Sequence, residues 1–251
     1  MDDKNKKTAI SVHCRFCGKT HYLEQGKARD HCLDLMKTLE DSRRIDLHVP
    51  AHEANPLLSL NYIKEEAGGQ MFGVLECLGH DGKTVILKAF SGQYNGIWDV
   101  EGWAPPLLDV VKFNSLVNNT DKQIKDLGKR IDGLHEGPER KELIQERKKL
   151  SQSLMKEIHA LYRVRNFRSE VRSLFDFFEN GIPTGTGDCC APKLLNAAAK
   201  QNLVPKSLAE IYWGRTNRSG TRQQGYFYQP CREKCQPLLD FMLCGIGRQD
   251  V

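Results

Sequence analysis

Two cysteine pairs, each set before a helical pattern, are the residues best placed to do chemistry. A glycine-rich turn, Gly185-Thr186-Gly187-Asp188, delivers Cys189 and Cys190 to Pro192 and an apolar run through Leu194, Leu195 and Ala198. Proline is favoured in the first turn of a helix, so the pattern predicts cysteines at a helix N-terminus. There the helix dipole and unpaired N–H groups favour thiolate, the form that ligates metal or attacks an electrophile. A second pair, Cys231 and Cys235, opens another apolar pattern at Leu238, Leu239 and Met242. Cys189, Cys231 and Cys235 together suffice for one tetrahedral zinc site with an open fourth position, and Cys190 is the alternative ligand beside Cys189.

A third pair stands near the start, in His13-Cys14-Arg15-Phe16-Cys17-Gly18-Lys19. A Cys-x-x-Cys turn closed by glycine points two sulfurs at one centre, and Cys32, His31 and His21 are the candidates to complete the ligand set. Nine cysteines in short-spaced pairs, an odd total, suit a reducing compartment with metal sites better than a disulfide framework. That places the chain in the cytoplasm, with zinc as its cofactor. No apolar run approaches the ~20 residues of a membrane span, and the polar residues 1–9 read as a solvated tail, not a signal peptide. A net charge of +5 permits an anionic partner such as RNA. Arg215, Arg218 and Arg222 lie in a glycine-containing loop beside Tyr226, Phe227 and Tyr228, a combination able to neutralise and stack on a polynucleotide.

The elements that must position these residues follow from periodicity. Cys32, Leu35, Met36 and Leu39 recur at helical spacing within Ala28–Arg44. Two β-rich runs, Met71–Leu78 and Thr84–Phe90, flank an Asp81-Gly82 turn, a strong hairpin signal. After Pro105-Pro106, two charged helical segments separated by Gly137-Pro138 carry Ile124, Leu127, Ile131 and Leu134, then Leu143, Leu150, Leu154, Ile158 and Leu161. They predict an antiparallel coiled-coil hairpin. Residues Arg163–Phe178 read as an amphipathic helix, Leu208–Gly214 as a strand, and Tyr226–Tyr228 as a short strand that pairs with it. The organisation expected is an N-terminal knuckle and helix (1–68), a core hairpin (69–106), a helical-hairpin insertion (107–180) and a zinc-motif half of the core (181–251).

The cysteine motifs resemble those of the zinc-dependent nucleobase deaminases, which carry His-x-Glu or Cys-x-Glu on one helix and Pro-Cys-x-x-Cys on the next. On that alignment Cys189 is the first ligand, Cys231 and Cys235 are the others, and Ala191 stands where the general acid/base glutamate belongs. Three residues separate the second pair of cysteines, where the motif has two. The hairpin ahead of them, with its Gly-Val-Leu, Asp-Gly and Ser-Gly progression, is similar to that of bacterial toxin-type members. The resemblance implies an α+β fold: a three-layer deaminase-like core with the coiled-coil hairpin inserted and a small N-terminal zinc-knuckle region.

A longer resemblance runs through Ile-Pro-Thr-Gly-Thr-Gly-Asp-Cys-Cys-Ala-Pro-Lys-Leu-Leu, Ala-Glu-Ile-Tyr-Trp-Gly and Pro-Cys-x-x-x-Cys. It looks like the N-terminal extension of certain large bacterial RNA pseudouridine synthases. The chain lacks the Arg-Leu-Asp motif of the synthase's catalytic aspartate, so it is not expected to make pseudouridine alone. The resemblance implies an accessory module that binds RNA (tRNA or rRNA) or a nucleotide and works with a pseudouridine synthase domain or protein. Two alternatives stand beside it. One is a zinc-dependent nucleobase deaminase that uses another carboxylate, with Asp188 the nearest, or a metal-free cysteine nucleophile. The other is a structural zinc protein that assembles, as a homo-oligomer, through its coiled coil.

Overall fold

The computed structural model describes residues 10–246; the polar tail at 1–9 lies outside them. In chain order the elements are β1 (Ile10–His13), β2 (Thr20–Leu23), α1 (Ala28–Ser42), β3 (Gln70–Leu78), β4 (Thr84–Phe90), α2 (Val110–Asp132) and α3 (Pro138–Ala160). There follow β5 (Val164–Arg165), β6 (Val171–Arg172), α4 (Cys190–Lys200), β7 (Val204–Trp213) and α5 (Gln236–Met242). The result is a mixed α/β structure with small antiparallel sheets. None of its described helices is long and apolar enough to cross a membrane. It divides into two compact units, one drawn from Met1–Leu107, Val164–Arg172 and Pro183–Val251, the other from Leu108–Arg163 and Ser173–Ile182.

The first unit is built on a three-stranded antiparallel sheet in the order β4-β3-β7. The Asp-Gly turn forms as its sequence predicts: Gly82 takes a positive φ of 76° and Asp81 Oδ1 accepts from the Lys83 N–H at 3.1 Å. Strand periodicity then sorts the side chains. Phe72 stands opposite both Phe90 and Ile211, and Val74 opposite Ala209, so these residues share one face. They bury against Ala28, Cys32, Met36 and Leu39, the apolar stripe of α1. Gly73 stands opposite Ala89 and Glu210 on the other face, where α4 packs. A Cβ on Gly73 would meet the Cys190 Cβ at 2.6 Å and Leu194 Cδ1 at 3.1 Å, so glycine is what lets α4 lie so close to the sheet.

The segment Tyr226–Tyr228 lies along the outer edge of β7. Ile211 bridges Phe227, the Tyr212 N–H donates to the Tyr226 carbonyl at 3.0 Å, and the Tyr228 N–H to the Glu210 carbonyl at 3.0 Å. This is the pairing the sequence predicted for these two runs.

In the second unit α2 and α3 pack as a helical hairpin, with Leu127, Ile131 and Leu143 buried together beside Leu134, Ile144 and Leu150. Asp109 caps α2 through the Lys112 N–H at 3.1 Å, and Pro138 opens α3.

The helix predicted for Arg163–Phe178 does not form. In its place are the two-residue strands β5 and β6, then a single 3₁₀ turn over Leu174–Asp176. Local side-chain bonds explain the difference, because they offer the backbone an alternative to helix. Asn166 Oδ1 accepts from the N–H groups of both Arg168 and Glu170, at 2.9 and 3.0 Å, closing a tight turn. Ser173 and Asp176 cap each other's backbone at the 3₁₀ turn in the same manner.

Candidate metal centres

Two groups of thiol and imidazole side chains, each with its ligand atoms within 4.8 Å of one another, can hold a metal ion: Cys14, Cys17, His21 and Cys244; and Cys189, Cys231 and Cys235. Tetrahedral zinc–sulfur bonds place neighbouring sulfurs about 3.8 Å apart, so both groups have the right dimensions.

The first group grows from the β1–β2 turn. Gly18 takes a φ of 65°, its N–H donates to the Cys14 carbonyl at 2.8 Å, and the Cys14 N–H closes the loop on the Lys19 carbonyl at 2.9 Å. The Cys17 sulfur lies 3.2 Å from His21 Nε2. The fourth member, Cys244, comes from just beyond α5, where burial pushes its thiol up to about 12. Phe16 packs edge-on against Phe241 at 5.3 Å, and the Arg172 guanidinium covers both rings, fixing the knuckle on α5. Of the candidates to complete the knuckle, His21 is brought in and Cys32 and His31 are not. Cys32 points into the core from α1, its S–H donating to the Ala209 carbonyl at 3.4 Å, and burial raises its thiol strongly. The signal for Cys244 was present as Cys244-Gly245, which mirrors Cys17-Gly18: in each, a cysteine precedes a glycine of positive φ.

The second group joins two helix starts. Cys189 is itself the N-cap of α4, behind a turn in which Gly185 and Gly187 take φ of 76° and 90°. Cys235 is the N-cap of α5, and the Cys231 carbonyl accepts from the N–H groups of Cys235 and Gln236, both at 3.2 Å. The sulfurs of Cys231 and Cys235 are 3.4 Å apart. With three sulfurs sharing protons, Cys231 is the one held as thiolate by its S–H neighbours, while Cys189 and Cys235 are driven up as the donors. Cys190 stands outside the group. It lies between α4 and the sheet, with its sulfur 3.4 Å from the Met71 carbonyl and 3.7 Å from that of Ala89.

Three further side chains define the surroundings. Glu210 of β7 is only 4% exposed, and its Oε1 accepts from the Ala191 N–H at 2.8 Å. Burial first, and the nearby Cys231 thiolate after it, push its carboxyl up to about 7. Its charge also acts on Cys189 and Cys235, so it belongs to the electrostatic field of all three sulfurs. Lys193 of α4, 1% exposed, donates to the carbonyls of Phe90 and Gly92 at 3.0 and 2.7 Å and ties the end of β4 to the helix. Asp188 lies in the turn ahead of Cys189, where its N–H donates to the Gly185 carbonyl and its own carbonyl accepts from Gly92 at 2.7 Å. It is outside the set of metal-ligand atoms. Glu210 was legible only as a charge inside the apolar run Leu208–Tyr212.

The three arginines of the basic loop have different surroundings. Arg215 donates to the carbonyls of Glu65 and Ala67, at 3.4 and 2.9 Å. Arg222 stacks over the Tyr228 ring at 4.1 Å. Arg218 sits on the exposed turn that Asn217 organises through Ser219 and Thr221.

No protein-family model matches the chain, and neither the curated proteins nor the solved structures contain a match to it.

Proposed function

We propose that the chain is a zinc-dependent nucleic-acid module of the deaminase-like kind, with one closed zinc site that ties the β1–β2 turn to the residues after α5 and one open site that receives a nucleobase. The observation that carries this reading is the contrast between the two ligand sets. Four ligands, Cys14, Cys17, His21 and Cys244, complete a structural site, whereas Cys189, Cys231 and Cys235 leave a fourth position for a ligand. A zinc ion bound there would supply a Lewis acid at that position. The sheet with α1 on one face and α4 on the other supports a deaminase-like core, and the cysteine motifs support an accessory role to an RNA pseudouridine synthase. Arg218 and the Arg222–Tyr228 stack supply the cationic and aromatic contacts for RNA.

Cobalt(II) substitution tests this directly, because thiolate-bound cobalt reports its ligand sphere in its visible spectrum. Metal analysis should give two ions per chain, one removed by Cys231→Ser and the other by Cys14→Ser. Adding tRNA, rRNA fragments or mononucleotides should alter the bands of the Cys231-dependent cobalt alone. Bands that no nucleotide or RNA perturbs would refute the nucleobase reading.

A further inference from the structure

We infer that Cys231 and Cys235 form a reversible oxidation site for hydrogen peroxide. Oxidation joins the two sulfurs and releases the metal of the open centre, while the closed centre keeps its own. The inference rests on the open-site reading above for the metal that is released.

The sulfurs of Cys231 and Cys235 lie 3.4 Å apart. A disulfide needs them at about 2.0 Å, and the backbone already suits it. The Cys235 N–H donates to the Cys231 carbonyl at 3.2 Å, the bond of a single helical turn. Such a turn holds the two Cα atoms about 6 Å apart, inside the span that disulfides use, so side-chain rotation closes the bond. Joining Cys189 to either sulfur would instead tie the start of α4 to a separate element. Cys190 is no competitor, because its sulfur is engaged with the Met71 and Ala89 carbonyls.

Access selects the same pair. Cys231 is partly exposed, whereas Cys14 and Cys244 of the closed set are 0% and 1% exposed, and His21 carries no thiol. A filled four-ligand shell leaves a peroxide no approach to its sulfurs, while three ligands leave one side open. Arg232 and Lys234 stand between the two cysteines and outnumber Glu233, an electropositive setting that favours thiol reactivity.

The step balances with the peroxide as the two-electron oxidant. The Cys231 sulfur attacks one peroxide oxygen, the O–O bond breaks, and sulfenic acid forms as hydroxide leaves. The Cys235 sulfur then attacks the Cys231 sulfur, the S–O bond breaks, and a second hydroxide leaves. Two thiols and one peroxide thus give one disulfide and two waters; the protons come from the thiols, or from solvent where metal has already displaced them. Of the three donors only Cys189 remains, too few to hold an ion. A small-molecule thiol reverses the change by exchange.

The test treats the full metal-bound chain with stoichiometric hydrogen peroxide. Released zinc is read with a chromogenic chelator, and the disulfide is located by peptide mass mapping. One of the two ions should leave, with a Cys231–Cys235 disulfide and the loss of two hydrogens in mass. A thiol reductant with added zinc should restore the ion. Cys189→Ser should still form the disulfide, whereas Cys235→Ser should stop at a sulfenic acid that dimedone traps. Retention of the Cys231-dependent ion without a disulfide, a disulfide that engages Cys189, or release of the Cys14-dependent ion first overturns the inference and leaves the open-site reading standing. Absence of Cys231-dependent zinc before treatment overturns the open-site reading, and the mass map of the treated protein then decides the oxidation site by itself.

Discussion

Gly73→Ala tests the packing that brings α4, Cys189 and Glu210 together. The added methyl would stand 2.6 Å from the Cys190 Cβ, an atom fixed to the helix backbone, and 3.1 Å from Leu194 Cδ1. Carbon atoms in contact prefer about 3.5–4.0 Å, so α4 must move outward by roughly 1 Å at its first turn. A shift of that size stretches the 2.8 Å bond between Ala191 N–H and Glu210 beyond hydrogen-bonding range. Overpacking of this kind costs about 1–3 kcal/mol. Losing a buried bond to a charged acceptor adds on the order of 1.5–3 kcal/mol. A combined loss of about 2.5–6 kcal/mol corresponds, for a domain of this size, to a fall in Tm of roughly 5–24 °C. Urea denaturation followed by circular dichroism measures it, with metal content determined on the same samples. Cys190→Gly in the Gly73→Ala background removes the clashing Cβ and should recover part of the loss, whereas Cys190→Ala keeps that Cβ and should recover none. If Gly73→Ala is within ~0.5 kcal/mol of wild type, the close approach of α4 is not what holds Glu210 in place.

Three further outcomes follow from the same geometry. Cys244→Ser should lower the metal content by one ion per chain, as Cys14→Ser does, whereas Cys32→Ser leaves it unchanged; metal analysis of the three variants decides. Arg218→Ala should weaken RNA binding and reduce its salt dependence, read by fluorescence anisotropy over a salt series, while Arg215→Ala should lower thermal stability by about 1 kcal/mol through its lost carbonyl partners. In metal-free protein, Glu210 has a folded-state pKa of about 7, above its ordinary value of 4.5. The proton it retains stabilises the fold fully below pH 4.5, and that contribution, on the order of 3 kcal/mol, is lost as pH rises through 7. Glu210→Gln should remove this slope between pH 4.5 and 7 in urea titrations.

Much of this was legible because the signals were local. Asp81-Gly82 between two β-rich runs could only close a hairpin, and the stripe Cys32, Leu35, Met36 and Leu39 could only be a helix face. The turn before Cys189 announced itself through two glycines that do take positive φ. Failures came where a long-range contact or a competing local bond decided. Val171, Leu174, Phe175 and Phe178 have helical spacing, yet Asn166 diverts the backbone with two hydrogen bonds that no periodicity can register. Cys32 met the knuckle's requirement in residue type, but its place on the α1 stripe already committed it to the core. Glu210 escaped notice beside Ala191, whose N–H donates to it, because a motif fixes spacing along one helix. It says nothing of what a neighbouring strand delivers to that helix.

That distinction also explains why both ligand sets converge on α5. The helix spans Gln236–Met242, seven residues and about 10 Å long. Cys235 caps one end for the open set, and Cys244 leaves the other end for the closed set. An element this short has too few internal hydrogen bonds to be stable by itself, so its orientation must come from its surroundings. Its buried residues Leu238, Leu239, Phe241 and Met242 supply part of that, and the Phe16–Phe241–Arg172 stack fixes one end against the knuckle. A metal held by Cys14, Cys17, His21 and Cys244 would fix the same end covalently. On this reading the closed site is part of the open site's construction: it sets the direction of the helix whose N-cap, Cys235, must meet Cys189 and Cys231.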